Sequence, residues 1–335
     1  MRICFLIVGL AVLLVPAPTL YATELSLDPT HGPLRVRNMS PVLTLYGVPR
    51  MTGAHILKDD LEITFNVEIA NNFQSKLTDD SFAFFDGESY IASYRFRKDF
   101  ADHWEWGVEL PWVVHTPGEF DPLIDGFHEL FDLPDGNRPV AERNRLDYLI
   151  RADGVVYADF DESRSGIGDV RAFLGRQIFK NDNSALAVRG MLKAATGEVE
   201  SLTGSGGTDV GVWAEYERSF HLGSLPMRMS GGVGFSYLGQ GDLLPDDQRH
   251  WMSVGHFGLQ MQFKPWFEFH AQADAHSRTL ENDNQLIADG GILGTLGARF
   301  ALTNKLWLDM VIVEDLRNDS ASDVIFQFLL GARLD

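Results

Sequence analysis

From residue 61 onward the sequence alternates apolar and polar residues in short runs, and the connections between runs alternate between long and short. Leu61, Ile63, Phe65, Val67 and Ile69 interleave with Glu62, Thr64, Asn66 and Glu68. Tyr90, Ala92, Tyr94 and Phe96 interleave with Ser93, Arg95 and Arg97, and Trp104 to Trp112 with Glu105, Gly107 and Glu109. A period of two sends successive side chains to opposite faces of a strand. The pattern recurs near 167–179, 184–195, 208–219, 226–239, 250–263, 266–277, 290–301, 305–315 and 323–333, giving twelve strands. Each is close to the ~9–11 residues with which a tilted strand crosses a bilayer. Odd-numbered strands are followed by longer connections, including about 116–165 and 196–207. Even-numbered ones are followed by short ones such as Lys180–Asn183 and Lys264-Pro265. A soluble sandwich has no reason to sort its loops by parity, whereas an even-stranded membrane barrel with both termini in the periplasm does. The expected fold is therefore all-β, a twelve-stranded antiparallel transmembrane β-barrel with short periplasmic turns and longer extracellular loops.

Residues 1–22 place Arg2 before the apolar run Cys4–Val15 and end in Tyr21-Ala22, the pattern of a secretory signal peptide cleaved after Ala22. Cys4 is the one cysteine, so cleavage would leave no thiol for disulfides, catalysis or metal binding. The formal net charge of −19, or −20 without Arg2, excludes nucleic acid as a partner, since phosphate binding needs basic patches. No later segment is apolar enough for a spanning helix. Residence in a membrane would then require a closed barrel, because lipid cannot satisfy an open sheet edge. Aromatic residues support this: Trp104, Trp106, Phe263, Trp266, Phe267 and Trp307 lie beside short turns, and Trp112, Tyr237 and Trp251 beside long loops. Two interfacial girdles are expected from that placement.

With apolar faces toward lipid, the opposite faces define the lumen. Strand one offers Glu62 and Glu68, strand two Arg95 and Arg97, and strand three Glu105 and Glu109. Arg171, Arg189 and Lys193 follow, then Glu215 and Glu217, His256, and the run Glu268, His270, Gln272, Asp274, His276. Neighbouring strands thus carry opposite charges, which favours their pairing. These groups read as a neutralised network supporting the wall, or as a narrow conduit whose mixed signs select a zwitterionic or polar solute. A third reading has Glu268, His270, Asp274 and His276 sharing protons or a metal, but no catalytic signature, metal set or cofactor motif accompanies them.

Two segments are less generic. In 120–161, Asp121-Pro122 is a helix start, Ile124, Phe127, Leu130 and Phe131 share a helical face, and Leu133–Gly136 ends the helix. Such a helix would cover the barrel mouth, the lumen or a partner, or pack within a surface loop. Residues 23–59 carry Pro29, Pro33, Pro41 and Pro49 beside Val42, Leu43, Leu45 and Val48. This lead is expected to form a small periplasmic cap or an inserted plug before the barrel at 60–335. Acidic runs at Asp79-Asp80, Glu281–Asp283 and Asp319–Asp323 fall at expected outer loop tips, without calcium-loop spacing.

Pro33-Leu34-Arg35-Val36-Arg37-Asn38-Met39-Ser40-Pro41 with Tyr46-Gly47-Val48-Pro49, and Gly126 to Arg138, resemble the marked segments of an uncharacterised bacterial family of exported, predicted outer-membrane proteins. That resemblance implies location and fold, carries no activity, and singles out His128 and Arg138. Sequence alone thus points to a narrow outer-membrane channel or passive transporter for a small polar or amphipathic solute. The alternatives are a closed structural or surface-interaction barrel and, third, an outer-membrane hydrolase. The expected partners are outer-membrane lipid, lipopolysaccharide and a small solute, with the oligomeric state open.

Overall fold

The computed structural model describes residues 25–28, 30–118, 145–316, 322 and 324–334. The leader and the loop positions Phe127, His128, Phe131 and Arg138 lie outside the described residues. The strands are β1 (Leu61–Leu77), β2 (Ser81–Ala101), β3 (Trp104–Thr116), β4 (Asp147–Ala152), β5 (Val155–Phe160), β6 (Arg164–Ile167), β7 (Arg171–Lys180) and β8 (Ser184–Lys193). They continue as β9 (Asp209–Leu222), β10 (Leu225–Tyr237), β11 (Trp251–Lys264), β12 (Phe267–His276), β13 (Ile292–Ala301), β14 (Leu306–Asp315) and β15 (Val324–Leu334). All pairings are antiparallel between neighbours, and β1 pairs with both β2 and β15, the latter from Leu61↔Leu334 to Ala70↔Ile325. The ring closes with twelve strands, as the periodicity predicts, while β4, β5 and β6 extend the β2 and β3 edges outside it.

One finding departs from the expected loop pattern. The first connection is not a loop, because β1 and β2 stay paired to Leu77↔Phe82 and turn only at Thr78–Asp80. At ~3.3 Å per residue the 17 residues of β1 exceed what a ~30 Å hydrocarbon layer needs, even when tilted. The ribbon therefore projects beyond the barrel wall, and β4 adds to its edge.

Outward positions form an apolar band that includes Val212, Val233, Phe257, Leu296 and Met310, all exposed. Trp106, Phe263 and Trp266 are exposed near the short-turn end, and Trp112, Tyr237 and Trp251 near the long-loop end. Trp307 corrects the girdle expectation: it is buried, faces inward and stacks at 4.3 Å on His31. Its ring lies over Gly331 on β15, where a Cβ would collide with it. A luminal shelf for the ring exists only because that neighbour has no side chain.

The lead runs inside the barrel as a hairpin. At the short-turn end, Leu27 donates its N–H to the Pro265 carbonyl and Asp28 pairs with Arg333. Leu34 meets Gln272 midway up β12, and Asn38 reaches His276 at the long-loop end. A 3-10 turn at Leu43–Leu45 forms the tip, packed among Leu202, Leu238, Leu243 and Leu286 of the loops. The chain then descends past Asp209, Glu215, Glu217 and Glu105 to begin β1. Its two arms touch at Gly32 and Gly53: a Cβ on Gly32 would overlap the Thr52 carbonyl, and Gly53 has φ +109°.

In phospholipid vesicles, Leu296→Arg should cost about 2–4 kcal/mol and Phe220→Arg, near the short-turn end, only about 0–1 kcal/mol. Equilibrium urea unfolding measures both, and equal costs would contradict a bilayer-embedded band.

Candidate functional site: the charged lumen

Because side chains alternate along the wall strands, most of their polar residues point inward. Among the luminal candidates, Glu62, Glu68, Arg95, Arg97, Glu105, Glu109, Arg171, Arg189, Lys193, Glu215, Glu217, His256, Glu268 and His270 are all buried, and Asp274 is partly exposed. They fall into linked groups. Glu62 is held by Arg97 at 2.8 Å and Arg333 at 3.2 Å. Glu105 bridges Arg97 at 2.7 Å and Arg189 at 2.8 Å, and Arg189 continues to Glu215 at 2.5 Å. Arg228 lies 3.3 Å from both oxygens of Glu268, and Oε1 of the same carboxylate lies 2.8 Å from His270 Nε2. Lys193 joins Asp169 and Asp209, and Arg299 makes a two-pronged bond to Asp309. Asp169, Asp209, Arg228, Arg299, Asp309 and Arg333 were absent from the sequence reading, although the same period-two rule places most of them inward.

The largest cluster is built with the hairpin. Glu109 receives Arg35 and Arg50, with Arg37 and the wall residue Arg171 each at 3.4 Å. Arg37 and Arg50 also reach Glu68, at 2.9 and 3.2 Å. Burial and the neighbouring Arg50 pull the Arg35 and Arg37 guanidiniums down to about 10, so both stay charged at neutral pH. Three guanidiniums from an imported segment therefore satisfy two wall carboxylates that would otherwise stand nearly unpaired. Leaving one buried ion without its partner costs several kcal/mol, so the wall and hairpin are mutually dependent.

Main-chain groups of the hairpin are held as thoroughly. Gln272 accepts the Leu34 N–H and donates back to its carbonyl. Asp209 accepts from Gly47, Glu215 from Thr52 and Gly53, Glu217 from Ala54, and Glu105 from Leu57. Lys193, Arg189, Gln327 and Arg299 donate to the carbonyls of Leu45, Gly53, Arg35 and Gly32. The cavities left between hairpin and wall measure about 30 Å³, room for one water but not for an organic solute. A larger one of about 190 Å³ opens at the short-turn end beside Phe220, Met227, Arg228 and Glu268.

Inward apolar residues were missed in the sequence. Phe173, Met191 and Trp213 are buried and form an apolar island, with the Arg95 guanidinium 4.1 Å above the Phe173 ring. They alternate in phase with Arg171, Arg189 and Glu215, so the register of their strands carried the signal. The run Glu268, His270, Asp274 on β12 separates into two local pairs. His270 turns to Glu268, whereas His256 Nδ1 lies 3.0 Å from Asp274 and its Nε2 3.1 Å from the Ser230 hydroxyl. Hydroxyl, imidazole and carboxylate follow the order of a hydrolytic relay. Ser230 Oγ, however, also receives Gln260 at 3.2 Å, Asp274 receives Gln272 at 3.0 Å, and none of the cavities above borders Ser230. The relay is a closed structural chain here. Among the described residues no group of acidic, histidine or cysteine side chains has metal-binding geometry.

Glu109→Gln should loosen the hairpin, since three arginines lose their shared acceptor. Limited trypsin digestion read by mass spectrometry should then show cuts at Arg35, Arg37 and Arg50 that the unmodified protein resists. Acid should act in the same direction. Burial, reinforced by Lys180 and Arg228, holds His55 down at about 4, so the seated hairpin favours the neutral ring. A released imidazole titrates near its ordinary ~6.5. Seating is therefore complete above about 6.5 and weakens as pH falls from there through about 4. Hydrogen exchange at the Thr52, Gly53 and Ala54 amides, corrected for intrinsic rate, should accelerate over that range.

Among solved structures, the COG4313 outer membrane channel from Pseudomonas putida F1 is similar over 84% of this chain and 98% of its own, with a TM-score of 0.55 and 13% identity. The NanC porin aligns over 82% of this chain and 99% of its own at a TM-score of 0.44 and 10% identity. The KdgM porin aligns over 82% and 98% at a TM-score of 0.40 and 6% identity. No functionally curated protein matches the sequence. A profile of a family described as proteins of unknown function, DUF3187, matches residues 12–333, and the chain belongs to that family.

Proposed function

We propose that the protein is a narrow outer-membrane channel for small polar solutes, closed in the conformation described and opened by withdrawal of its own amino-terminal hairpin. The observation that carries this reading is that the lumen is filled by the amino-terminal segment, which enters and leaves at the short-turn end, and not by wall side chains alone. Eight strands enclose a space that side chains can fill, whereas sixteen or more leave an open pore. Twelve strands leave an intermediate space, and here residues 27–57 occupy it. Both ends of the hairpin lie at the short-turn end, so it can leave without crossing the loops. Support also comes from the outward apolar band and from the fold shared with an outer membrane channel.

The short-turn end then faces the periplasm, which agrees with an exported chain whose termini stay on that side. The apolar band meets outer-membrane lipid. The acidic tips at Asp79-Asp80 and Glu281–Asp283 then lie on the side of the lipopolysaccharide. Arg95 stands directly across from Glu109 in the β2–β3 register, yet forms no ion pair among the described residues and donates to the Thr52 hydroxyl of the hairpin. Glu109 is turned to the hairpin instead. Departure of the hairpin frees Glu109 for a cross-strand pair with Arg95 or for a solute.

Locking the hairpin tests the reading. A Cβ at position 47 would lie 2.7 Å from the Asp209 Cβ, so Gly47→Cys with Asp209→Cys needs only about 1 Å of adjustment to reach disulfide geometry. In planar bilayers the oxidised double variant should show no conductance, and reduction should restore it. Equal conductance in both states would show that passage does not require the hairpin to move.

A further inference from the structure

Resting on the channel reading, we infer that the luminal site at Glu68, Glu109 and Arg95 takes a short peptide carrying a basic side chain and a free carboxylate. The hairpin acts as an internal stand-in for that solute. It is itself an extended peptide, and the wall reads it through main-chain amides on both arms and through guanidiniums at a single height. Main-chain hydrogen bonds of this kind supply affinity that is independent of side chains, and pockets for selected side chains supply specificity. The side-chain pocket is the Glu68–Glu109 pair, which takes Arg35 and Arg37 from positions two apart on one face of an extended strand.

A wall that only had to hold its plug would leave no polar group idle at this height. Among the described residues, both amide atoms of Asn66, the Thr64 hydroxyl, one oxygen of Gln327 and one guanidinium nitrogen of Arg95 are buried and without a hydrogen-bond partner. They border the arginine clamp: Asn66 is two residues from Glu68 on β1, and Thr64 pairs across to Arg95. The hairpin offers bases to the two carboxylates but no anion to Arg95. A solute with both charges completes the site, its basic group on Glu68 and Glu109 and its carboxylate on Arg95, while its amides use the donors and acceptors left idle.

Efflux of unlabelled dipeptides from liposomes containing the full-length protein tests this, with ion conductance recorded in parallel. Val-Arg should pass about tenfold faster than Val-Gln, which lacks the base, and about tenfold faster than Val-Arg amide, which lacks the carboxylate; one charge-assisted hydrogen bond supports a factor of that size. Glu109→Gln should erase the first preference and Arg95→Gln the second. Ion conductance with all three dipeptides passing equally would overturn this inference and leave the channel standing. Absence of both conductance and efflux from the unmodified protein would overturn the channel reading and this inference with it. The comparison among dipeptides on the unmodified protein decides the matter even if a variant fails to assemble.

Discussion

A closed ring of strands sends every second side chain inward, and twelve strands enclose more space than those side chains fill. Everything else in this protein follows from that mismatch. Most of the apolar residues of each strand are spent on the outer band, and the inner face keeps only islands of them, such as Phe173, Met191 and Trp213. The rest of the inner face is largely polar and charged, and such a wall with nothing against it would hold carboxylates and guanidiniums partly desolvated and partly unpaired. The amino-terminal hairpin resolves both problems. It occupies the space, and it brings the guanidiniums that Glu68 and Glu109 lack.

The way the hairpin is held differs along its length. At the tip, Val42, Leu43, Leu45 and Tyr46 sit in an apolar cluster made by the loops, where hydrophobic burial dominates. Along the arms, apolar contacts of Leu34, Val36 and Met39 with Ile91, Val113, Val311 and Val313 are joined by polar and charge-assisted bonds whose partners come from nearly every side of the barrel. Hydrogen bonds of this kind exchange readily for bonds to water, so their net contribution is far smaller than their number suggests. An assembly that is fully satisfied when seated and readily hydrated when released is suited to a gate. It is less suited to a permanent brace, for which apolar packing throughout would serve better.

Much of the fold was legible in the residues. The alternation in Leu61–Ile69 and in Trp104–Trp112 assigned the outward and inward faces, and the luminal charges from Glu62 to His270 followed by counting. What the period could not reveal was contact. Trp307 read as a girdle residue, because its inward turn depends on Gly331 one strand away. Phe173, Met191 and Trp213 were not singled out, because their hydrophobicity and their inward phase point to opposite faces. The long first connection read as a loop, because a projecting ribbon at Leu77 and Phe82 loses the two-sided contrast that lipid imposes.

The sequence by itself determined the container: strand number, antiparallel order and the sign of many of the luminal charges. These are properties of a repeating local pattern and of chain connectivity. Only the tertiary structure decided what the charges do. Arg35, Arg37 and Arg50 precede the first strand, and no periodicity links them to Glu68 or Glu109, which lie as far as 74 positions away. Their pairing exists because a hairpin of the right length fits the space that ring closure creates, and space of that kind is a three-dimensional quantity with no local sequence signature.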